Sequence, residues 1–203
     1  MVTHPPPPTP CPGTRPYGWG TGALLAWWVT RHQLQKPLIT ILAAALALTT
    51  AAIAWPLGAA TTASLILLGL ATFYGAVAAT TVAVHLITLR SWARHGWLVG
   101  YFTADASQLV HPEEGAWVLS EHHARRRGRG HGAQLRAVVW PHLMDEADRL
   151  GAAVRMATGV RTLANRYLSE MPGLVTNRIE GVTMHLARAP TSGGVQHGDP
   201  ESR

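Results

Sequence analysis

Charged side chains are missing from a long stretch in the first half of the chain: residues 37–89 contain no Asp, Glu, Lys or Arg. A soluble domain needs polar side chains wherever its helices meet water, so this stretch argues against one. Proline and glycine at Trp55–Gly58 end a helix and favour a turn. The first half, 38–55, is near the minimum length for a transmembrane span, and the second, 62–89, is more than long enough. We predict a transmembrane hairpin, with a buried hydrophobic hairpin of a soluble protein as the alternative.

Cysteine and lysine are also scarce. The single cysteine, Cys11, excludes an internal disulfide and a zinc site made of cysteines. The single lysine, Lys36, does not follow a glycine-rich loop, which excludes a Walker A phosphate loop. The adjacent His122 and His123 point to opposite faces if they lie on a strand, so no metal site is predicted there.

Arginine supplies nearly all of the positive charge, and the formal net charge is +6. Abundant arginine together with Ala, Gly and Pro suggests a GC-rich genome as much as a function. The basicity therefore makes no strong case for a nucleic-acid partner. Arg31 and Lys36 precede the first span, Arg90 and Arg94 follow the second, and the connecting loop has no charge. By the positive-inside rule, both termini face the cytoplasm and the protein is integral to the cytoplasmic membrane.

The remaining sequence divides by composition. Residues 1–22 are rich in Pro, Gly and Thr and predict a disordered tail, and residues 190–203 predict a second one. Residues 23–94 form the membrane region, and residues 95–189 form a soluble domain. Its predicted elements are strands at 97–102, 115–120, 152–157 and 181–186, helices at 135–150 and 161–170, and a polar connection at 104–114.

A basic, glycine-rich loop joins a strand-like segment to the first helix of this domain. Its sequence from Arg125 to Gly132 is Arg-Arg-Arg-Gly-Arg-Gly-His-Gly. Glycine lets a backbone approach a ligand closely, and the free N–H groups of a helix start attract phosphate oxygens. The order strand, loop, helix therefore predicts a pyrophosphate site. The alternative is a solvated basic turn, or a segment that contacts RNA or lipid headgroups.

This loop resembles the acyl-CoA loop of the GCN5-related N-acetyltransferase (GNAT) superfamily, whose motif is Gln/Arg-x-x-Gly-x-Gly/Ala. Residues 127–132 satisfy the motif, and a second register that starts at Arg125 also fits. The resemblance covers about residues 115–188 and implies an α+β fold, with a GNAT-like domain behind the transmembrane hairpin. It implies that acetyl-CoA is the acyl donor and that an amine, whether soluble or membrane-associated, is the acceptor. The residues expected to bind acetyl-CoA are Ser120, His122, Arg127, Gly128, Arg129, Gly130, His131, Gly132 and Ala133.

The resemblance also implies an acid and a base for catalysis. Glu121 is the expected general base, with His122 or His123 as alternatives, although Glu121 could instead form a salt bridge to a loop arginine. The family's acid is a tyrosine four residues before a Gly-Phe pair. Counting back from Gly173 gives Ser169, so Tyr167 is the expected substitute, unless it is merely an amphipathic residue of its helix.

Part of the family's usual acceptor side has no counterpart in this sequence. The hydrophobic hairpin and one strand stand where the family has a strand and two helices. The acceptor site could thus be built differently, supplied by another subunit, or lost. Two other functions stay open: a non-catalytic membrane protein whose loop binds anionic lipid or nucleic acid, and a degenerate domain that binds CoA as a sensor.

Overall fold

A computed structural model describes residues 4–94, 96–126 and 128–191. The chain forms two compact units, one from residues 18–91 and one that combines the residues before 18 with those after 91. The helices are α1 (Trp19–Leu34), α2 (Pro37–Ala54), α3 (Ala59–Arg94), α4 (His131–Leu150) and α5 (Arg161–Glu170). The strands are β1 (Val99–Phe102), β2 (Ala106–Glu113), β3 (Ala116–Ala124), β4 (Ala153–Thr158), β5 (Val175–Glu180) and β6 (Thr183–Arg188).

The first unit contains the uncharged stretch, residues 37–89, preceded by α1. Pro37 opens α2, where its missing N–H costs no helical hydrogen bond. A short 3-10 turn at Trp55–Leu57 joins α2 to α3, and the Thr62 hydroxyl closes this corner by donating to the Ala54 carbonyl at 2.8 Å. Both α2 and α3 are long and apolar enough to cross a membrane. The two helices expected at 38–55 and 62–89 are thus present, and α3 is longer than expected at both ends.

The second unit is a mixed sheet of the order β1-β2-β3-β4-β6-β5. Strands β3 and β4 pair in parallel, and α4 connects them; the other neighbouring strands described here pair antiparallel. Helix α4 packs on β2, β3 and β4, and α5 packs on β4 and β6. This architecture confirms the α+β prediction. From β3 onward the elements follow in the order strand, glycine loop, helix, strand, helix and strand. This is the order that the GNAT resemblance implies.

Two strands differ from the sequence prediction. The connection expected to be a polar loop at 104–114 contains strand β2, most of which is buried. Its polar residues Ser107 and Gln108 are buried because they bond to the backbone of β3, the Ser107 hydroxyl to Glu121 and the Gln108 amide to Ser120. Strand β5 was not predicted because all six of its residues are exposed at the sheet edge. An edge strand of this kind has no buried face to produce an alternating pattern.

Residues 4–22 are ordered, which corrects the prediction of a disordered tail at 1–22 for that part; residues 1–3 lie outside the described residues. The indole N–H groups of Trp97 and Trp117 donate to the carbonyls of Pro5 and Pro6, each at 3.0 Å. We call residues 5–15 the strap. A proline-rich chain has few conformations to lose, so these bonds suffice to order it. The strap extends to Arg15, which pairs with the backbone of Phe102 on β1.

The strap is also joined to α4. The carboxylate of Glu146 accepts hydrogen bonds from the amide and hydroxyl of Thr9 at 2.8 and 3.0 Å. The Tyr101 hydroxyl donates to the Thr9 carbonyl at 2.9 Å, and Cys11 is buried in the core. The domain therefore begins before α1. Of the predicted tail at 190–203, residues 192–203 lie outside the described residues.

Candidate functional site

The parallel strands β3 and β4 separate halfway along their length. Their pairing ends at Leu119 and Met156, although both strands continue. At that point β3 contains a bulge, since Glu121 and His122 together occupy the place opposite Gln108. Glu121 has a φ of 49°, a conformation that side chains other than glycine rarely adopt. A bulge bends and twists its strand, which accounts for the divergence of β3 from β4.

A cavity of about 170 Å³ opens where the two strands diverge. Its lining comprises Gln108, Leu119, Ser120, Glu121, His122, Trp140, Met156, Ala157, Thr158, Leu163 and Tyr167. Two polar atoms of this lining, Oγ of Ser120 and Nε1 of Trp140, are buried and have no hydrogen-bond partner among the described residues. Buried polar atoms are normally paired, so these two atoms are exceptions within the described part of the chain.

One wall of the cavity is a network of hydrogen bonds centred on His122. Nε2 of His122 lies 2.9 Å from Nη1 of Arg136, and Nδ1 lies 3.1 Å from Oε1 of Gln108. Because arginine can only donate, Nε2 accepts and Nδ1 carries the hydrogen. Burial and the nearby guanidinium lower the pKa of His122 from 6.5 to about 3. With its lone pair already occupied, His122 is not available as a general base, which corrects that alternative.

Arg136 links this network to the second helix of the domain. Its guanidinium binds both carboxylate oxygens of Glu170 and lies over the rings of Trp140 and Tyr167, at 5.4 and 5.2 Å from their centroids. The residue is 3% exposed. A buried guanidinium needs such partners, so Arg136 fixes the relative positions of His122, Glu170 and the two rings.

The structure distinguishes the two candidate positions for an acid on α5. Tyr167 is buried and lines the cavity, and its ring meets His122 and Trp140 edge to face. Burial raises the pKa of its hydroxyl to about 12, so the phenol keeps its proton at neutral pH. Ser169 is exposed, and its hydroxyl donates to the Arg166 carbonyl. Of the two, Tyr167 is the one placed to donate a proton inside the cavity.

Glu121 lines the same cavity and has a histidine partner. Its Oε2 lies 2.7 Å from Nε2 of His123, and both side chains are about a quarter exposed, at 21% and 25%. The contact is local, between residues two apart along β3 at the bulge. The pair combines a carboxylate and an imidazole at the cavity edge, where an incoming amine could lose a proton.

The glycine loop forms the start of α4, next to this cavity. Gly128 and Gly130 have φ of 76° and 78°, and a β carbon on either would meet no atom within 4 Å. The first intrahelical bond of α4 joins the amide of Gln134 to the Gly130 carbonyl. The amides of His131, Gly132 and Ala133 come before it and point out of the helix start, as an anion site requires.

The arginines of the loop add charge to this helix start. Arg125, Arg126 and Arg129 are exposed. Arg125 also lies 3.5 Å from Asp105, which ties the loop to the turn before β2. Arg127, the first residue of the 127–132 register of the motif, lies outside the described residues. In the part of the chain that is described, no three His, Cys, Asp or Glu side chains come together as a metal site.

Sequence reasoning missed four residues of the site: Gln108, Arg136, Trp140 and Glu170. One of them left a signal. Arg136 precedes the buried Trp140 by four positions and Leu143 by seven, so it lies on the buried stripe of α4. An arginine there needs an acidic or aromatic partner, and that requirement could have drawn attention to the helix that carries Glu170.

Comparisons with known proteins give two structural similarities. No family model matches the chain, and no curated protein matches its sequence. The crystal structure of Escherichia coli ElaA is 16% identical, covers 46% of this chain and 69% of its own, and has a TM-score of 0.36. An acyl-CoA N-acyltransferase from Pseudomonas aeruginosa is 20% identical, covers 46% of this chain and 70% of its own, and has a TM-score of 0.33. Each similarity covers less than half of this chain.

Proposed function

We propose that this protein is a membrane-anchored N-acyltransferase that transfers an acetyl group from acetyl-CoA to an amine. One observation carries the proposal: the parallel strands β3 and β4 separate after Leu119 and Met156 and open a cavity beside a glycine-rich helix start. A slot between two strands suits a narrow extended arm such as pantetheine. A basic helix start suits the pyrophosphate at the other end of the same molecule.

In this proposal the chain holds the donor at two places. The amides of residues 131–133 and the arginines of the loop, including Arg127 and Arg129, bind the pyrophosphate. The backbone of β3 beyond its last pair with β4, at Ser120 to His122, lies along the arm of the donor. Holding donor and acceptor together in the cavity supplies much of the rate enhancement, because the reaction becomes effectively unimolecular.

The chemistry then needs one base and one acid. Glu121, supported by His123, takes a proton from the ammonium of the acceptor, directly or through a water. The freed amine attacks the thioester carbonyl, an amide C–N bond forms, and the C–S bond breaks. Tyr167 gives its proton to the departing thiolate. The attacking nitrogen loses its second proton to the tyrosinate, which restores Tyr167. The products are an N-acetyl amine and CoA, and Glu121 releases its proton to water before the next cycle.

The apolar unit supplies the membrane part of the proposal. Side chains such as Leu48, Ile53 and Leu67 are 68–75% exposed on α2 and α3, and lipid is a favourable environment for them. We place both termini and the acyltransferase domain in the cytoplasm, where acyl-CoA is found. A membrane position favours an acceptor on a lipid, a peptide or a membrane protein.

A binding titration of the full-length chain in detergent tests this function. Gly130→Val forces a β-branched residue into a left-handed position at the helix start. Gly181→Val is the matched control, since Gly181 has the same kind of φ, 57°, and equally open surroundings in the β5–β6 turn. We expect saturable micromolar binding of acetyl-CoA that Gly130→Val weakens at least tenfold and Gly181→Val leaves unchanged.

The same titration separates the alternatives. Binding to heparin and to anionic vesicles, lost as salt increases, without saturable binding of acetyl-CoA, would replace the enzyme proposal by a polyanion-binding one. The exposed arginines are the observation in favour of that function. Saturable binding with no release of CoA thiol across a panel of primary amines would instead indicate a CoA sensor.

A further inference from the structure

Helix α1 has an exposed apolar face that the proposed chemistry does not use. The side chains of Trp19 and Trp27 are 96% and 60% exposed. With Ala23 and Arg31, which are also exposed, they recur every four residues, so all four lie along one side of the helix. Two large indole rings on one exposed helix face indicate a partner that covers them.

The opposite side of α1 is apolar as well. Its Leu25 and Trp28 are 0% and 2% exposed, so this side packs inside the protein. The helix has only 16 residues and carries Arg31 and His32 in its last turn, which makes it too short and too polar at that end to cross a bilayer. A helix with these properties is suited to the boundary between a protein and a membrane surface.

Helix α1 ends beside the first proposed span. Only Gln35 and Lys36 separate it from α2, and the extended backbone of Lys36, with ψ of 137°, breaks the helix between them. Because α2 has 18 residues and is about 27 Å long, α1 adjoins one end of the span and Trp55, 72% exposed, adjoins the other. Tryptophan is enriched at both membrane interfaces. In the proposed topology, the end that adjoins α1 is the cytoplasmic one.

The charge of this part of the chain is complementary to anionic lipid. All eleven Asp and Glu residues lie at position 105 or later, so residues 1–104 contain basic residues and no acidic ones. Arg31 and Lys36 are both exposed. Basic residues next to a membrane span are attracted to the negative surface of the cytoplasmic leaflet.

We propose that α1 lies in the headgroup region of the cytoplasmic leaflet and binds anionic phospholipid. Trp19 and Trp27 insert between the headgroups, and Arg31 and Lys36 bind the lipid phosphates. The inference rests on the membrane part of the proposed function. It adds to the two spans a contact that recognises the lipid by its charge.

The test measures the contact of three positions with lipid in the full-length chain, reconstituted in phosphatidylcholine vesicles. On a Cys11→Ser background, one thiol-reactive fluorophore is attached at Ala23→Cys on the exposed face of α1, at Leu48→Cys on α2, or at Ser169→Cys on α5. The quencher is a phospholipid with a nitroxide near the start of one acyl chain. It is added either as phosphatidylglycerol or as phosphatidylcholine, at the same mole fraction.

We expect the fluorophore at position 23 to be quenched at least twofold more strongly by the labelled phosphatidylglycerol than by the labelled phosphatidylcholine. An anionic lipid that binds α1 is concentrated around it, whereas a span has no such preference. Position 48 should therefore be quenched equally by the two lipids, and position 169 by neither.

Charge variants test the role of the two cations. The double variant Arg31→Gln, Lys36→Gln should remove the difference between the two lipids at position 23. The matched control is Arg161→Gln, Arg166→Gln, which removes two exposed charges from α5 and should leave the difference unchanged.

Each of the other outcomes has a distinct meaning. If position 23 is quenched no more than position 169 while position 48 is quenched, α1 faces water, and the inference is overturned while the proposed function stands. Equal quenching of position 23 by the two lipids would overturn the assignment to anionic lipid. If position 48 is not quenched, the spans and the membrane part of the proposed function fail, and the inference fails with them.

Discussion

A β carbon on Gly132 would lie 2.7 Å from Nε2 of His122, because the first turn of α4 passes directly against that imidazole. The imidazole cannot retreat freely, since its two nitrogens are bonded to Gln108 and Arg136. The third glycine of the loop is thus needed for helix-to-strand packing. Gly128 and Gly130, whose surroundings are open, are the two that leave room for a ligand.

This contact predicts the sign of a stability change. Gly132→Ala should lower the free energy of unfolding by about 1–2 kcal/mol through overpacking, although alanine in an uncrowded helix is worth about 1 kcal/mol of stabilisation. Gly20→Ala is the matched control: Gly20 is likewise the second residue of a helix, and nothing lies within 4 Å of its β position. Thermal unfolding followed by tryptophan fluorescence distinguishes them. A gain in melting temperature for Gly132→Ala would contradict the contact.

The pKa of His122 predicts how stability depends on pH. It is about 3 in the folded chain and near 6.5 when unfolded, so below pH 6.5 the unfolded chain binds a proton that the folded chain does not. Stability should therefore fall as the pH decreases from about 6.5 towards 3. His122→Gln should reduce this slope, by at most about 1.4 kcal/mol per pH unit, in denaturant titrations at pH 6.5, 5.75 and 5. Parallel slopes for the two proteins would mean that His122 titrates normally.

The proposed acid makes a kinetic prediction. Tyr167→Phe keeps the ring against Arg136 and Trp140 but removes the hydroxyl, so kcat should fall about tenfold to a hundredfold. The affinity for acetyl-CoA should change less than twofold. Ser169→Ala, which alters an exposed hydroxyl on the same helix, should leave both values unchanged. An unchanged kcat for Tyr167→Phe would show that the thiolate takes its proton from elsewhere.

The strap predicts a local effect in the domain. Tyr101→Phe removes the hydroxyl that donates to Thr9 and should cost about 1 kcal/mol. Because the lost bond anchors the strap directly, hydrogen exchange at residues 9–15 should accelerate more than exchange in β3 or α4. Tyr74→Phe on α3 is the control for loss of a tyrosine hydroxyl in the other unit. Uniform acceleration over the whole domain would mean that the strap unfolds only with the rest.

Cysteine labelling tests the membrane orientation. On a Cys11→Ser background, Gly58→Cys places a thiol in the turn between α2 and α3, and Thr191→Cys places one after β6. In intact cells, an impermeant maleimide should label Cys at position 58 and reach position 191 only after the membrane is broken. The reverse pattern would contradict the predicted orientation, and labelling of both sites in intact cells would argue against the hairpin.

The sequence predicted the elements whose residues have a regular pattern or a distinctive composition. The uncharged stretch gave α2 and α3, the spacing of apolar residues gave α4, and the glycines marked the loop. What could not be predicted depends on contacts distant in the chain. The polar residues of β2 are buried only because β3 supplies their partners, and the strap is ordered only because Trp97, Trp117 and Glu146 hold it.

The same distinction explains what was found of the site. Ser120, Glu121, His122 and Tyr167 all line one cavity. The first three lie on β3 and Tyr167 lies on α5, two elements that the sequence pattern predicted. Arg136 and Glu170 are 34 positions apart, and their pairing needs α4 and α5 to be in place. No local pattern could reveal the bulge at Glu121, which depends on the register of β2 against β3.

The strap and the sheet belong to one folded body, yet the chain that separates them includes α1, α2 and α3. During synthesis, residues 5–15 must leave the ribosome and wait until β1, β3 and α4 follow. The two parts can meet only if they emerge into the same compartment. It follows that the segment between residues 18 and 91 can cross a bilayer only an even number of times. This conclusion does not depend on the charges that flank the helices.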